Sequence, residues 1–435
     1  MAESEKRLVF HIDVNSAFLS WEAAYRIHHL HGTEDLREMD AAIGGNKETR
    51  RGIILAKSLS AKRYGIKTGE SITEALKKCP HLFIAPPHYQ LYDRCSQAFI
   101  EILKEYSPDV EQFSIDEAFV DMTGTERLWG EPIVAANRIR ERIQRELGFT
   151  VNVGVSANKL LAKMASEFRK PNQVHTLFPE EIATKMWPLP VKELYFVGRA
   201  TFERLHSLGI RTIGELAHFD VEILKQHLKS QGEAVWNNAN GFDVSPVEAI
   251  APANKGYGNS TNIAFDVTDA ETAELVLLSL AELVGMRLRK AGVKIEVIAI
   301  AIKDRHFNCV SHQKTLLAAT DITSELHRAA VELFRELWDY KSPIRHLGLH
   351  TSRVKDGACA RQLSLFDMHG PSSRRGNQPD FLKLEQTDVM SDLVRNRYGI
   401  NALKRAAFIN QRIDHISGGV IKDKHTVDYS QVTVR

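Results

Sequence analysis

The sequence predicts a multidomain α+β protein, and three observations support this fold class. The chain has 435 residues, which exceeds the usual size of one domain and predicts two to four of them. Strand and helix patterns alternate over residues 7–175 and again over 250–355. Between these stretches, residues 176–245 show helical periodicity alone, so we expect two mixed domains separated by an all-helical one.

The composition is that of a globular protein. Hydrophobic residues make up 43% of the chain and charged residues 26%, so the sequence indicates neither disorder nor a membrane protein. No apolar run reaches the roughly 18 residues of a spanning helix, and MAESEKRLVF has no signal-peptide pattern, so we expect the cytoplasm. The four cysteines are far apart and form no CxxC pair, which favours reduced thiols over a zinc site or a disulfide framework.

The first elements lead to an acidic residue. RLVFHIDV, residues 7–14, predicts a buried strand that ends beside Asp13. Residues 16–27 predict a helix from their apolar and aromatic spacing. Residues 31–85 are rich in Gly, Lys and Arg and indicate a small subdomain inserted into the first one.

The next elements contain a second acidic site. Residues 92–106 predict a helix, and VEQFSIDEAFVDM predicts two strands joined in a tight hairpin through residues 114–117. Residues 131–147 predict another helix, TVNVGVS another strand, and residues 158–168 a helix that ends before Pro171. This alternation predicts a domain built on one sheet.

The remaining chain divides into a helical part, a second mixed domain and a tail. Short turns at Gly198 and Gly209 interrupt the helical part. IEVIAIAIKD and IRHLGLHTSRV are strand candidates of the second mixed domain, and helical segments accompany them. Residues 355–380 are rich in Gly, Ser, Arg and Pro and indicate a linker, and residues 381–410 predict one more helical segment.

Three carboxylates lie at predicted strand ends: Asp13 in the first strand, and Asp116 and Glu117 in the hairpin. Magnesium prefers hard oxygen ligands, which a rigid sheet can hold in place. Two such ions about 4 Å apart can neutralise the attacking and leaving oxygens of a nucleotidyl transfer. Each motif alone has an ordinary explanation, because an Asp after a strand is most often a turn or capping residue. The two motifs together favour a metal site.

Three segments, in this order, resemble motifs of the Y family, the DinB/UmuC class of translesion DNA polymerases: HIDVNSAF, FSIDEAFVDMT and VGVSANKLLAKMASEFRKPN. The resemblance covers about residues 7–410 and implies a right-hand polymerase. It divides the chain into the first part of the palm (1–30), the fingers (31–85), the second part of the palm (86–175), a helical thumb with a helix-hairpin-helix (176–245), the little-finger domain (250–355) and a linker, clamp-binding motif and C-terminal tail (356–435).

The resemblance also assigns roles at the metal site. Asp13 and Asp116 correspond to shared ligands of two Mg²⁺ ions, and Glu117 to the ligand of the ion that activates the primer hydroxyl. Val14 would contribute its backbone carbonyl. Phe18 stands where the family keeps an aromatic steric gate against the ribose 2′-hydroxyl, although without the motif an ordinary core residue would be the better interpretation.

Two lysines correspond to residues that bind the incoming triphosphate. Lys170 lies in KPN, where a helix-terminal lysine is otherwise most often solvated, and Lys62 lies in SLSAKRYGIKTG. Leu59 stands where DinB-type enzymes have a Tyr that hydrogen-bonds phosphate, which puts that contact in doubt. Ile53 and Leu55 would lie above the nascent base pair.

The thumb and little finger would bind the DNA backbone. YFVGRATFERLHSLGIRTIGELA resembles a helix-hairpin-helix, which aims backbone N–H groups at phosphates, although Phe196 replaces the usual first glycine. A plain helix-turn-helix packing unit is the alternative. Basic residues of the little finger would add a salt-sensitive attraction, or else form only a solvated face: Lys303, Arg305, His306, Lys314 and Arg353.

The linker contains a short apolar cluster in RQLSLFDM. It resembles the peptide by which bacterial proteins bind the sliding clamp, with Gln362 at one pocket and Leu363, Leu365 and Phe366 at another. A tether of this kind raises the local concentration of a weakly processive enzyme at the primer end.

The sequence therefore predicts a low-fidelity, distributive translesion DNA polymerase that acts in DNA repair and damage tolerance. The expected partners are primer-template DNA, deoxynucleoside triphosphates and the sliding clamp, and we expect a monomer without membrane contact. One alternative is a catalytically silent, clamp-binding accessory protein, but such relatives lack the three carboxylates. Another is a palm-like nucleotidyl cyclase, which has no use for a thumb or a clamp peptide.

Overall fold

The computed structural model describes residues 7–45, 52–250, 252–358, 381–416 and 418. These residues form two compact units, which divide the chain after residue 251, and Gly52 groups with the second. Within the described ranges, no helix has the length and apolar character needed to cross a membrane.

The first unit contains strands and helices in mixed order, followed by helices alone. Its strands are β1 (Val9–Val14), β2 (Ala41–Gly44), β3 (Ile54–Lys57), β4 (Phe83–Ala85), β5 (Val110–Gln112), β6 (Glu117–Asp121), β7 (Val151–Ser156) and β8 (Val174–Thr176). Its helices are α1 (Ala17–His29), α2 (Leu59–Arg63), α3 (Ile72–Lys78), α4 (Tyr89–Lys104), α5 (Glu126–Trp129), α6 (Pro132–Leu147), α7 (Lys159–Ser166), α8 (Arg199–Ser207), α9 (Ile213–Ala217), α10 (Val221–Leu228) and α11 (Ser230–Ala239).

The main sheet has the strand order β5-β6-β1-β7-β8, with β1 at its centre. Every residue of β1 is buried, as the apolar run in the sequence predicts. β1 pairs antiparallel with both β6 and β7. β5 and β6 form the predicted hairpin around residues 114–117. The central strand therefore carries Asp13 to the edge where the hairpin turns.

Residues 31–85 contain a separate small sheet, ordered β3-β2-β4, with α2 and α3 beside it. Its apolar cluster includes Ile54, Ile66 and Ile72, which are nearly inaccessible to solvent. Ser58 and Ser71 cap the two helices by accepting hydrogen bonds from backbone N–H groups. This cluster gives the inserted section a small core of its own.

The structure shifts several predicted helix boundaries by a few residues. α4 covers Tyr89–Lys104 and begins earlier than expected. α7 begins after Asn158, whose side chain accepts a hydrogen bond from Leu161 and so caps the helix. Capping explains the later start of α7, because the periodic pattern includes Asn158 although its backbone is extended.

The second unit contains a mixed α+β sheet domain, with two strands that the sequence did not reveal, and it also includes residues 381–416. β9 and β11 are rich in polar residues, and β11 is largely exposed, so neither has the apolar pattern of a buried strand. The sheet order is β11-β10-β12-β9, and α12 and α13 cover one face. The elements are β9 (Gly258–Val267), α12 (Ala270–Lys290), β10 (Val293–Asp304), β11 (Cys309–Thr320), α13 (Thr323–Leu337), β12 (Ile344–Asp356) and α14 (Phe381–Tyr398).

A glycine allows α7 to lie directly on the main sheet. A Cβ atom at Gly154 of β7 would stand 1.9 Å from the carbonyl oxygen of Ala162 and 2.6 Å from the backbone nitrogen of Ser166. Real Cβ atoms do not approach backbone so closely. The side chains of α7 therefore reach the end of β1 only because residue 154 has no side chain.

We expect Gly154→Ala to lower the free energy of unfolding by about 3 kcal/mol, because α7 must move away from β7. Urea denaturation measures the change. Gly198→Ala is a matched control, since its Cβ would meet no atom within 4 Å and its φ is −79°; its cost should be about 1 kcal/mol or less. Equal losses in both variants would contradict the close-contact argument.

Candidate metal and nucleotide site

The register of the main sheet places two predicted carboxylates side by side. Asp13 of β1 lies directly opposite Glu117 of β6, so both side chains point to the same face. The backbone N–H of Val14 donates to the carbonyl oxygen of Asp116 at 2.9 Å and ties the strand end to the hairpin. The two acidic motifs therefore meet at one edge of the sheet.

A cavity of about 470 Å³ opens at this edge. Its wall combines the end of β1, the start of α1, the hairpin, the inserted small sheet and the residues after α7. Glu117 is not among the lining residues, and its carboxylate accepts a hydrogen bond from Lys163 of α7. The predicted site residues that line the cavity are Asp13, Val14, Phe18, Leu55, Leu59, Lys62, Asp116 and Lys170.

The tightest carboxylate group differs in one member from the predicted trio. Carboxylate oxygens of Asp13, Glu117 and Glu167 all lie within 4.8 Å of one another. Asp116 lies outside that group, and its Oδ1 accepts a hydrogen bond of 2.6 Å from the hydroxyl of Ser114. The sequence prediction therefore missed Glu167, which follows the last turn of α7.

Two lysines neutralise this acidic group. The ammonium of Lys170 lies 3.0 Å from Asp13 Oδ1 and 2.6 Å from Glu167 Oε1. Lys163 of α7 donates to Glu117 Oε2 at 2.8 Å. Lys170 was predicted to contact triphosphate, and in the described structure it contacts Asp13 and Glu167. Lys163 was not predicted, although Lys163 and Glu167 are four residues apart and so share one face of the helix.

The pKa values of Asp13 and Glu117 are shifted in opposite directions by their surroundings. Burial raises the pKa of Asp13 to about 7, even though Lys170 opposes the rise. Burial would also raise the pKa of Glu117, but its polar neighbours outweigh burial and hold that pKa well below its usual range. Lys163 is the main such neighbour, because the ring of His11 is 3.9 Å away and too distant for a hydrogen bond.

This arrangement has the donors that a divalent cation needs. Carboxylate oxygens are hard ligands, and the Asp13 carboxylate is expensive to keep ionised where it lies. A bound cation would stabilise its charged form. Asp13, Asp116 and Glu117 are the residues that could hold such ions.

Phe18 is held in place by other aromatic rings. Its ring stacks on Tyr92 with centroids 4.6 Å apart and an interplanar angle of 12°, and Tyr89 meets it edge to face at 6.1 Å. Since Phe18 also lines the cavity, it is both a packed residue and a cavity wall. The two interpretations from the sequence are therefore compatible.

The inserted sheet adds basic residues to the opposite wall. Lys62 is exposed and lines the cavity, and Leu59 beside it is half exposed. The sequence prediction missed Lys57, whose ammonium donates to Thr68 at 3.1 Å and whose pKa is lowered by burial and by Lys62. It also missed Arg37, another lining residue. Ile53 is exposed but is not among the residues that line the cavity.

In the helical part, the backbone of Phe196 has a conformation that is usual for glycine. The φ angle of this residue is 72°, in the left-handed region that favours glycine. Its ring remains 63% exposed, and Gln231 donates to its carbonyl oxygen at 3.2 Å. Gly198 then caps the start of α8. Phe196 therefore adopts a backbone conformation that glycine would adopt, although it carries a side chain.

In the second unit, the sheet face opposite the helices carries small, polar and basic side chains. The buried isoleucines of β10 form a core with α12 and α13, so the alternate residues of β10 and their register partners point to the other face. Sequence reasoning identified only one of these residues, Lys303. The others include Ala299, Ala301, Ser311, Gln313, His346, Gly348 and His350.

Lys314 does not lie on the open face of the sheet, although we expected from the sequence that it would face DNA with the other basic residues. It lies opposite the buried Ile298, on the helix-covered face, and its ammonium pairs with Glu332 of α13. Arg305 and His306 lie at the exposed turn between β10 and β11, where the guanidinium contacts the imidazole at 3.0 Å. Arg353 is exposed in β12. The predicted clamp motif, Gln362 to Phe366, lies outside the described residues.

Comparison with known proteins identifies the family of the chain. Residues 12–167 match the impB/mucB/samB family, residues 254–365 match the C-terminal domain of that family, and residues 179–210 match its HHH motif. DNA polymerase IV of Clostridium acetobutylicum is 41% identical over 93% of this chain and 99% of its own length. DNA polymerase IV 1 of Bacillus subtilis is 33% identical over 95% and 96%.

A solved structure has the same fold. A Y-family DNA polymerase chimera of Dbh and Dpo4 matches 80% of this chain and 99% of its own, with a TM-score of 0.70 and 21% identity. The sheets and helices described above thus correspond to the palm, fingers, thumb and little finger of a right-hand polymerase. The chain therefore belongs to the Y family of DNA polymerases.

Proposed function

We propose that this polymerase copies damaged templates by two-metal nucleotidyl transfer, with low fidelity and in a distributive manner. One observation carries the proposal: Asp13, Asp116 and Glu117 meet at the edge of one sheet, beside a cavity that also contains Phe18 and Lys170. The names of the relatives support DNA synthesis, with primer-template DNA and deoxynucleoside triphosphates as substrates.

We propose two Mg²⁺ ions as the cofactor. Asp13 and Asp116 would hold both, Glu117 would hold one, and the Val14 carbonyl would add a ligand. When bound, the ions would neutralise charge on the attacking and leaving oxygens. In the described structure, Lys170 compensates Asp13, so cation binding at Asp13 would make Lys170 available to the triphosphate.

The other wall of the cavity would bind the rest of the nucleotide. Lys62 would supply a positive charge for the triphosphate. Lys57 would add a second one and so replace the contact that a Tyr at the position of Leu59 would make. Leu55 would pack against the nascent base pair. Under this proposal, residues 31–85 are the fingers, and residues 1–30 and 86–175 form the palm.

The DNA duplex would contact the helical and second-sheet regions. The hairpin around Phe196 and Gly198, in the proposed thumb at 176–245, would direct backbone N–H groups at phosphates. The face around Ala299, Ala301 and Gly348, in the proposed little finger at 250–355, has small residues at its centre and could approach a groove closely, with Lys303 beside them.

We expect Asp116→Ala to abolish Mg²⁺-dependent primer extension while leaving the fold intact, because its side chain contacts only Ser114 among the described hydrogen bonds. Loss of one metal ligand should lower the rate by about 10³-fold, or about 4 kcal/mol in activation free energy. Gel-resolved extension of a primed template measures the rate, and circular dichroism monitors folding.

Glu141→Ala is the matched control, because Glu141 is an exposed carboxylate of α6. It should extend primers at the wild-type rate. Extension by Asp116→Ala at a rate close to the control would reject the metal site. No extension by wild-type protein would reject the enzyme itself.

For the proposed steric gate, we expect Phe18→Ala to admit ribonucleotides by removing the ring that would meet the 2′-hydroxyl. Discrimination between deoxy- and ribonucleotides should fall by about tenfold or more, which corresponds to about 1.4 kcal/mol. Single-nucleotide incorporation with both sugars measures the ratio. Phe242→Ala, at a ring that is 62% exposed and does not line the cavity, is the control. Unchanged sugar discrimination would rule out the gate.

We also propose that Gln362, Leu363, Leu365 and Phe366 bind the bacterial sliding clamp, and that the enzyme is a cytoplasmic monomer. Replacing Leu365 and Phe366 by Ala should weaken clamp binding by about 100-fold, since two buried apolar anchors are lost. Surface plasmon resonance on immobilised clamp measures this affinity.

Clamp-free primer extension should remain at the wild-type rate in this double variant. Leu128→Ala, at another exposed leucine, should change neither measurement. Clamp binding of wild-type strength after the double substitution would contradict the motif assignment, and simultaneous loss of clamp-free extension would indicate misfolding.

A further inference from the structure

Helix α14 packs on the second unit through charged side chains. Arg395 donates to Glu282 of α12 at 2.6 Å, and both side chains are only 2% exposed. Arg289 of α12 pairs with Asp392 at 2.6 Å. Asp388 accepts a hydrogen bond from the backbone of α13 at 2.7 Å and is almost fully buried. Charged side chains therefore anchor the buried side of α14, where the half-buried Phe381 and Leu384 also lie.

The opposite side of α14 carries four exposed apolar side chains, with the exposed Gln386 among them. Leu382 is 65% exposed, Val389 44%, Met390 59% and Leu393 57%. Residues 382, 389 and 393 share one side of a helix because they are seven and four residues apart, and residue 390 borders them. We call these four side chains the α14 stripe.

The α14 stripe places apolar side chains where a surface helix normally has polar ones. Surface helices normally direct apolar side chains to the core and charges to water. Here the ion pairs with Glu282 and Arg289 fix the orientation of α14. A rotation that buried the stripe would break these pairs and leave Glu282 buried without its partner. The apolar side therefore remains outward and available to another surface.

The size of the stripe limits what can cover it. From Leu382 to Leu393 a helix rises about 16 Å, and four such side chains offer on the order of a few hundred Å². A stable interface between separate proteins buries roughly 800 Å² on each partner. The stripe alone is thus too small for a lasting dimer, and its occupant needs a high local concentration.

One apolar segment of the chain has that local concentration. RQLSLFDM, residues 361–368, belongs to the stretch 359–380, which lies outside the described residues. That stretch begins after β12 and returns at Phe381, the first residue of α14. The residues between 368 and 381 can extend about 40 Å at roughly 3.3 Å per residue, which exceeds the length of the stripe.

We propose that the α14 stripe is the docking surface for residues 361–368 of the same chain. Leu363, Leu365 and Phe366 supply apolar side chains that complement the stripe in chemistry. A short tether gives a local concentration in the millimolar range, which compensates for the small contact area. Docking within the same chain would cover both the α14 stripe and the apolar side chains of residues 361–368.

This docking has a regulatory consequence that rests on the proposed clamp binding. The same three side chains cannot fill the α14 stripe and a pocket of the clamp simultaneously. Docking in cis therefore reduces apparent clamp affinity by the fraction of molecules whose segment is free. The stripe acts as an internal competitor that holds the motif until the clamp displaces it.

A clamp-free experiment tests the docking directly. The probe is a fluorescent peptide of residues 360–369, and fluorescence anisotropy measures its affinity for the full chain. The receiving chain carries Leu365→Ala and Phe366→Ala, which removes its own competing segment. We expect this chain to bind the probe at least about tenfold more tightly than wild type, whose stripe is already occupied.

Two further chains locate the site. Adding Val389→Gln and Leu393→Gln to the receiving chain should weaken probe binding by at least about tenfold, as expected for losing two apolar contacts. Adding Tyr398→Gln instead should leave binding unchanged, because Tyr398 is 67% exposed but lies about 140° round the helix from Leu393. Thermal unfolding checks that all four chains are folded.

Three results would overturn the proposal. Equal probe affinity for wild type and receiving chain would mean that the stripe is not filled in cis. Unchanged binding after the stripe substitutions would place the peptide elsewhere. Self-association that Leu393→Gln disperses would identify a second copy as the occupant. Because no clamp is present, failure of the clamp assignment would leave these measurements unaffected.

Discussion

The site depends on keeping like charges together at one edge of a sheet. Oxygens of Asp13, Glu117 and Glu167 lie within 4.8 Å of one another, in a setting where burial raises the pKa of Asp13. Such an arrangement requires compensating positive charge. Lys163 and Lys170 supply it in the described structure, and the proposed metal ions would supply it during catalysis. The carboxylates therefore need positive charge both in the described structure and in the proposed metal-bound site.

The surrounding fold makes this concentration of charge possible. β1 is buried along its whole length and has a strand on each side, so the position of Asp13 is fixed by two antiparallel ladders. Gly154 lets α7 approach the sheet closely enough for Lys163 to reach Glu117. The aromatic stack behind Phe18 then fixes the start of α1 beside the same carboxylates. Packing far from solvent therefore determines the geometry of a polar site.

The sequence predicted the strands that carry strong apolar patterns and the acidic motifs at their ends. It did not predict β9 or β11, since the polar residues of these strands give no such pattern. Glu167 and Lys163 were missed because their role depends on how closely α7 approaches β1, a distance that helical periodicity does not specify. The side of the sheet on which Lys314 lies depends on the strand register, because a shift of one residue moves a side chain to the other face. The sequence alone did not specify that register. Local pattern thus predicted elements and motifs, whereas contacts between elements required the structure.

The most direct test of the metal site is anomalous diffraction from crystals grown with Mn²⁺, primer-template DNA and a non-hydrolysable deoxynucleoside triphosphate. The account predicts two anomalous peaks about 4 Å apart, both in contact with Asp13 and Asp116 and one in contact with Glu117. It also predicts that Lys170 leaves Asp13 for the triphosphate. Peaks that avoid these carboxylates, or a complete nucleotide complex without any peak beside them, would contradict it.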